Sequence, residues 1–356
     1  YIYIYATYIF FGFSRFCIVT EKKVFMVTIY DIAKACRLAP STVSKALNNY
    51  KNISDETVQK VKAVADDMGY IPNISARTLV TKSTHNIGVL LDIVSDVGLN
   101  HNLFMSILNS FTLTLDKLHY DITFLSKRYE NNYLNHLMMR GFDGVLILGD
   151  FTKPPVAQVL ESSFPVICYD YTGDTAYGVC STNYDCTAEL TQNLIDLGHK
   201  NIVYILGESN YVTSDRRKAF LETTAKAGLD GEKMVVHGQY YSTEAMYKQV
   251  SQLMRERRET TAIMFPDDHS AVGGVEALKD LGYRIPQDIS VTGYDGIEVS
   301  QLISPKLTTV VQDSKTLGRI LAENLLDLIA HRTPGQRITY VPAHVSMRES
   351  TGPARE

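Results

Sequence analysis

Two sets of residues carry the chemistry in this sequence. In the first, Ser41, Thr42, Ser44, Lys45 and Asn48 fall on the polar side of a short helical pattern. Hydroxyls, an amide and an ammonium in that order can hold phosphate oxygens and read base edges in a DNA groove. In the second, carboxylates stand just past apolar runs: Asp92, Asp170, Asp267 with Asp268, and Asp295. An aspartate after a strand most simply caps the next helix. The same position, beyond the carboxyl end of a parallel strand, is also where such sheets hold ligands. No GxSxG, phosphate loop, metal-spaced histidines or nucleophile with an evident base is present, so neither catalysis nor a metal or cofactor is expected. The cysteines Cys17, Cys36, Cys168, Cys180 and Cys186 form no CxxC pair and read as reduced, cytoplasmic thiols.

The first set needs a helix to present it. Between Thr28 and Asn48, Ile29, Ile32, Ala33 and Cys36 recur at helical spacing, and so do Val43, Ala46 and Leu47. Two short helices with facing apolar stripes are expected. Pro40 suits the first turn of the second, where its missing N–H is not needed. This is the outline of a helix-turn-helix, although a helical hairpin with a solvated polar face has the same spacing. Ser54-Asp55-Glu56-Thr57 starts a third helix, whose face Val58, Val61, Val64, Ala65 and Met68 ends at Gly69. Residues 74–81 form a helical pattern too short to stand alone in water.

The second set needs sheets. Apolar runs at Ile87–Asp92, Asp121–Leu125, Gly144–Gly149 and Pro165–Asp170 alternate with helical patterns. A second series follows at Asn201–Gly207, Lys233–Gly238, Thr261–Pro266 and Ile289–Asp295. Such alternation specifies parallel sheets covered on both faces, here as two doubly wound lobes with a cleft between them. A chain of 356 residues has room for two or three such units. Its net charge of -4 is unevenly spread: residues 26–82 hold eight Lys/Arg against five Asp/Glu, and residues from 83 onward 24 against 33. A basic head on an acidic body suits a DNA-binding module on a sensor. Residues 1–25 are expected to be a non-native or unstructured extension. A membrane anchor is the other reading of this aromatic run, but Gly12, Ser14 and Arg15 interrupt it.

The phrases VTIYDIAKA, STVSKALNN, ISDETVQKV and MGYIPNISAR, followed by LGHKNIVYILG, SDRRKAF, FPDDHSAVGGVEAL, GYRIPQDISVTGYDG and SPKLTTVVQD, resemble the LacI/GalR family of transcriptional repressors over nearly the whole chain. The resemblance implies an α/β protein: a small all-α helix-turn-helix headpiece followed by a two-lobed, periplasmic-binding-protein-like core of doubly wound parallel sheets. The expected divisions are a headpiece at 26–72, a hinge helix and linker at 73–85, and a core at 86–356. Within the core, one lobe takes about 86–180 and 308–341, the other about 181–307 and 342–356. The implied activity is that of a cytoplasmic homodimer on double-stranded operator DNA, controlled by a small effector, a sugar or related metabolite.

The resemblance adds Thr28, Tyr30, Asn52, Asn73 and Ala76 to the DNA-facing set and makes Leu79 the hinge wedge in the minor groove. It places Asp170, Arg216, Asp267, Asp295 and Gln312 at effector positions, where Asp and Arg can hold vicinal hydroxyls and Tyr169, Tyr171 or Tyr294 can stack. For Tyr294, core packing is the alternative. The chain also departs from the family's pattern. Arg37 stands where Gly is usual at the turn, Ala39 where Ser caps the recognition helix, and Lys45 where Arg is frequent. The first two remove an easy left-handed residue and a cap worth about 1 kcal/mol, and the third removes a planar fork that reads guanine. A solute-binding protein of the same core fold is the competing reading, and it has no use for a basic headpiece.

Overall fold

The computed structural model describes residues 2–9, 18–25, 27–48, 50, 52–70, 83–92, 98–126, 128, 131–149 and 151–355. They fall into two units, Tyr1–Lys82 and Ser83–Glu356.

In the first unit, β1 (Ile2–Ile9) pairs antiparallel with β2 (Ile18–Phe25). Both strands fall within the stretch expected to be a non-native or unstructured extension, and a run of Tyr, Ile, Val and Thr has the strand propensity for such pairing. Helices α1 (Ile29–Cys36), α2 (Pro40–Leu47) and α3 (Asp55–Asp67) follow. Ile32, Ala33 and Cys36 of α1, Val43 and Ala46 of α2, and Val61 and Ala65 of α3 close over one another as a single small core. The hinge helix expected after it, with Asn73, Ala76 and Leu79, lies outside the described residues.

The second unit holds two lobes. One is built on a parallel six-stranded sheet. Its strands in chain order are β3 (Asn86–Asp92), β4 (Asp121–Phe124), β5 (Gly144–Gly149), β6 (Val166–Tyr169), β7 (Tyr177–Ser181) and an edge strand at Ile338–Val341. The helices Asn102–Asp116 and Ser314–Ile329 cover one face, burying Ile107, Phe111, Leu317 and Leu321 against Ile87 and Val89. Gly318 permits their close approach, since a Cβ there would lie 2.2 Å from the Ile107 carbonyl oxygen. The helices Tyr133–Arg140 and Pro154–Leu160 carry the core on the other face.

The other lobe has a parallel four-stranded sheet of Ile202–Leu206, Val235–His237, Ala262–Met264 and Ser290–Thr292. The eight strand runs read from the sequence all contain strands, although Lys233–Gly238 begins with the last residues of a helical turn, Gly231–Met234. Among the described residues of this unit, four further strands were not anticipated: Tyr177–Ser181, Thr309–Val311, Ile338–Val341 and His344–Ser346. Thr309–Val311 and His344–Ser346 pair antiparallel, and an isolated bridge from Asp295 to Val311 joins the first of them to the end of the second lobe's sheet. Among the described residues no helix is long and apolar enough to cross a membrane.

Candidate functional site

The sequence of helix α2 puts one face in the headpiece core and leaves the other outside it. Val43 and Ala46 point inward, leaving Ser41, Lys45 and Asn48 exposed and Thr42 and Ser44 half-buried. Ser41, Ser44, Lys45 and Asn48 follow the spacing of one helical face. The Asn48 amide is partly engaged, donating to the Ser44 carbonyl at 2.8 Å. Thr28 forms a capping box with Asp31 at the start of α1, its backbone N–H donating to the carboxylate at 2.8 Å. Hydrogen bonding to Thr28 holds the Asp31 carboxyl below its ordinary range. Tyr30 and Asn52 are exposed. The two departures at the turn have visible consequences. Arg37 adopts the left-handed conformation at φ 56°, and Ala39 caps α2 with no side-chain hydrogen bond.

The core unit contains a cavity of about 340 Å³ between its lobes, within the range of small-molecule sites. Asp170, Arg216, Asp295 and Gln312 all line it. Asp170 follows β6 and lies half-buried, where its Oδ1 accepts from the Ser181 N–H at 3.3 Å and the Asn183 amide at 3.4 Å. Loss of solvent raises its carboxyl to about 6 against the pull of Arg216.

Arg216 lies on the helix Tyr211–Lys226 and is 3 % exposed. Its Nε donates to Asn183 Oδ1 at 2.9 Å and its Nη1 to the Pro266 carbonyl at 3.0 Å, while the guanidinium lies 3.4 Å over the Tyr294 ring. Two nitrogens of the expected fork are therefore committed to the protein. Nη2 makes no hydrogen bond among the described residues. Asp295, also buried, accepts from the Tyr241 hydroxyl and, at 2.7 Å, from the Gln312 amide. Gln312 in turn accepts from the Tyr169 hydroxyl at 2.8 Å and from the Ser181 hydroxyl. Desolvation raises the Asp295 carboxyl as well.

Other expected residues are placed differently. Asp267 does not line the cavity: it caps the helix Asp268–Asp280, accepting from the Ser270 N–H at 2.7 Å, the Ser270 hydroxyl at 2.8 Å and the Tyr241 N–H at 3.0 Å. Its burial pushes the carboxyl up to about 7. A helix beginning directly after Asp267 turns that side chain back on its own N–H groups. Asp268 likewise ties elements together, accepting from the Ile297 N–H at 2.9 Å and the Thr309 hydroxyl at 2.5 Å. Tyr294 packs in the core beneath Arg216. The backbone of Asp92 ends β3, and its side chain lies outside the described residues.

The cavity wall also holds residues that strand-end reasoning did not anticipate. His101 stacks on Phe104 with ring centroids 3.6 Å apart and meets Tyr241 from the opposite lobe at 3.7 Å. Burial lowers the His101 imidazole to about 3, so it is neutral. The adjacent pair Tyr240-Tyr241 after the strand Val235–His237 was the available signal. Tyr240 seats its ring against Gly207, where a Cβ would lie 2.0 Å from it. Tyr241 and Asp295 hold φ values of 54° and 101°, and Asp170 one of 54°. Three non-glycine residues around one cavity thus lie in the left-handed half of backbone space.

A headpiece with an exposed polar recognition helix and a two-lobed core with a lined cavity define a ligand-responsive DNA-binding regulator. Comparison with known proteins gives the family. Residues 28–73 match the family described as bacterial regulatory proteins, lacI family, and residues 191–351 match the periplasmic binding protein-like domain. The HTH-type transcriptional repressor PurR of Pectobacterium atrosepticum is 30 % identical, over 93 % of this chain and 99 % of its own. Catabolite control protein A of Priestia megaterium is 28 % identical, over 91 % and 99 %. Among solved structures, the lac repressor dimer bound to operator and the anti-inducer ONPF superposes with a TM-score of 0.80 at 24 % identity, covering 92 % of this chain and all of that one. A transcriptional regulator CelR–cellobiose complex gives 0.69 at 22 %, covering 91 % and 99 %. The chain belongs to the LacI family and is a DNA-binding transcriptional regulator.

Proposed function

We propose that the protein is a cytoplasmic repressor without enzymatic activity, binding double-stranded operator DNA as a homodimer through α2 and responding to a small carbohydrate-like effector in the interlobe cavity. The observation that carries the effector half is the convergence of Asp170, Asp295, Gln312 and the open edge of Arg216 on one aromatic-walled cavity. Carboxylate acceptors beside a charged donor hold vicinal hydroxyls, and aromatic faces cover the apolar side of a sugar ring. Cellobiose in the CelR complex is a ligand of this chemistry on the same fold. A symmetric dimer presents two recognition helices to half-sites a helical turn or more apart. Selection of duplexes from a random pool by the full chain, at fixed salt, is expected to yield a near-palindromic site whose retention changes when an effector is added. Retention no tighter than on random DNA would overturn the operator reading. A retained site that no ligand found by thermal shift alters would overturn the effector reading.

A further inference from the structure

The interlobe cavity adjoins a second chamber of about 200 Å³, and Phe151, Thr152 and Tyr211 line both. The far wall of the second chamber is Ala157, Leu160, Glu161 and Tyr171. Aromatic edges meet at the partition: the Tyr171 ring lies 5.0 Å from Phe151 and 5.9 Å from Tyr211, both in edge-on contact. Phe151 and Thr152 precede the helix Pro154–Leu160 of one lobe, whereas Tyr211 begins the helix Tyr211–Lys226 of the other. The partition is therefore shared between the lobes, so the spacing of the lobes sets the width of the passage between the chambers.

The charges lining this site are unbalanced. Among the described residues, Asp170, Glu208 and Asp295 face the larger chamber and Glu161 the smaller, and Arg216 is the sole Lys or Arg on either wall. Arg216 already spends Nε and Nη1 on Asn183 and Pro266. Two of its five N–H groups are thereby spent, and what remains faces the cavity as a single edge. An anionic ligand entering here would meet three nearby carboxylates with one free guanidinium edge for compensation.

We propose, resting on the effector-site reading above, that the effector is an uncharged glycoside of two ring units. Its polyhydroxylated ring lies over Phe104 and Tyr169 with hydroxyls on Asp170, Asp295 and Arg216 Nη2. The second ring passes between Phe151 and Tyr211 to rest against Tyr171. Disaccharides, aryl glycosides and nucleosides share this chemistry, and the test separates them.

Isothermal titration of the full chain would use three neutral panels: cellobiose, maltose and lactose; nitrophenyl glucoside and galactoside; adenosine and uridine. Glucose, galactose and ribose serve as single rings, and glucose 6-phosphate, glucuronate and uridine monophosphate as charged counterparts. The tightest ligand is expected in one neutral two-ring panel, with its single-ring component and charged counterpart each weaker by roughly tenfold or more. Ala157→Phe, which fills only the second chamber, is expected to weaken the two-ring ligand by roughly tenfold or more and leave single-ring binding unchanged. Glu161→Trp, at an exposed position of the same chamber, serves where a melting curve shows Ala157→Phe unfolded. A single ring or an anion bound as tightly as any two-ring ligand, or two-ring binding indifferent to both blocking variants, overturns the proposal while leaving the effector site standing. Binding of no compound in any panel overturns both.

Discussion

Asp170→Asn should make the core more stable and its ligand binding worse. The Asp170 carboxyl rises from an ordinary 3.8 to about 6 because burial disfavours its charge, and that value already includes the opposing attraction of Arg216. The unfolded chain releases this proton near 3.8 and the folded chain near 6, so between those values the folded state holds more protons. Stability therefore falls as pH rises through that window, and the cost is present in full above it. At ~1.4 kcal/mol per pH unit the ionised carboxylate costs the fold ~3 kcal/mol near neutrality. Asparagine mimics the neutral acid: its Oδ1 can accept from Ser181 and Asn183 as Asp170 does, and it tolerates a φ of 54°. Calorimetry of the full chain is expected to show the core transition of the variant raised by roughly 6 to 12 °C near neutral pH, at 2 to 4 °C per kcal/mol for a unit of this size. The gain should shrink towards zero as pH falls below about 4.5. Ligand affinity should drop in the same variant by about 1.5 to 3 kcal/mol, the worth of a charged hydrogen bond. A variant that melts at or below the wild type near neutral pH, or a gain equal at both pH values, would refute the assignment of strain to this carboxylate.

Lys45→Ala, at an exposed position on α2, should abolish specific operator retention in a gel shift at fixed salt while leaving the melting curve unchanged. Ala39→Ser restores a side-chain acceptor at the uncapped start of α2 and should stabilise the headpiece by about 1 kcal/mol, read from urea unfolding. Leu79→Ala should reduce DNA bending in circular-permutation gel shifts more than it changes non-specific affinity. Asp143 accepts from Ser83 Oγ at 2.5 Å, from the Thr84 N–H at 2.9 Å and from the His85 N–H at 2.9 Å, where the linker enters the core. Asp143→Ala should accelerate proteolytic cleavage beside residues 83–85 and lower core stability by about 1 to 3 kcal/mol.

The parts of the fold that were legible in the sequence are those specified by local pattern. Short continuous apolar runs bounded by glycine, such as Gly144–Gly149, read as strands buried on both faces, and the stripes of α1 and α2 are buried most simply by packing on each other. What escaped was specified by distant partners. Ile338–Val341 is half polar and short, and it is a strand because Gly178 to Ser181 offer it an edge. Thr309–Val311 exists through pairing with His344–Ser346 and a bridge to Asp295.

The site shows the same division in sharper form. Asp170, Asp267 and Asp295 all follow strands and looked equivalent, yet the structure separates them by the sign of a single torsion. Asp267 is extended, at φ -155°, and a helix starts at once, so the carboxylate turns back onto Ser270 as a cap. Asp170 and Asp295 have positive φ, which bends the chain aside before any helix can begin. Neither carboxylate then has a helix end to satisfy, and both remain on the cavity wall. The signal was faintly present in the neighbours: Asp267 has a serine three residues on, the spacing of an N-cap, whereas Asp295 is followed by Gly296. Sorting caps from ligand acceptors in a doubly wound lobe therefore begins with whether the residues after the strand permit an immediate helix, and only then with the chemistry of the side chain.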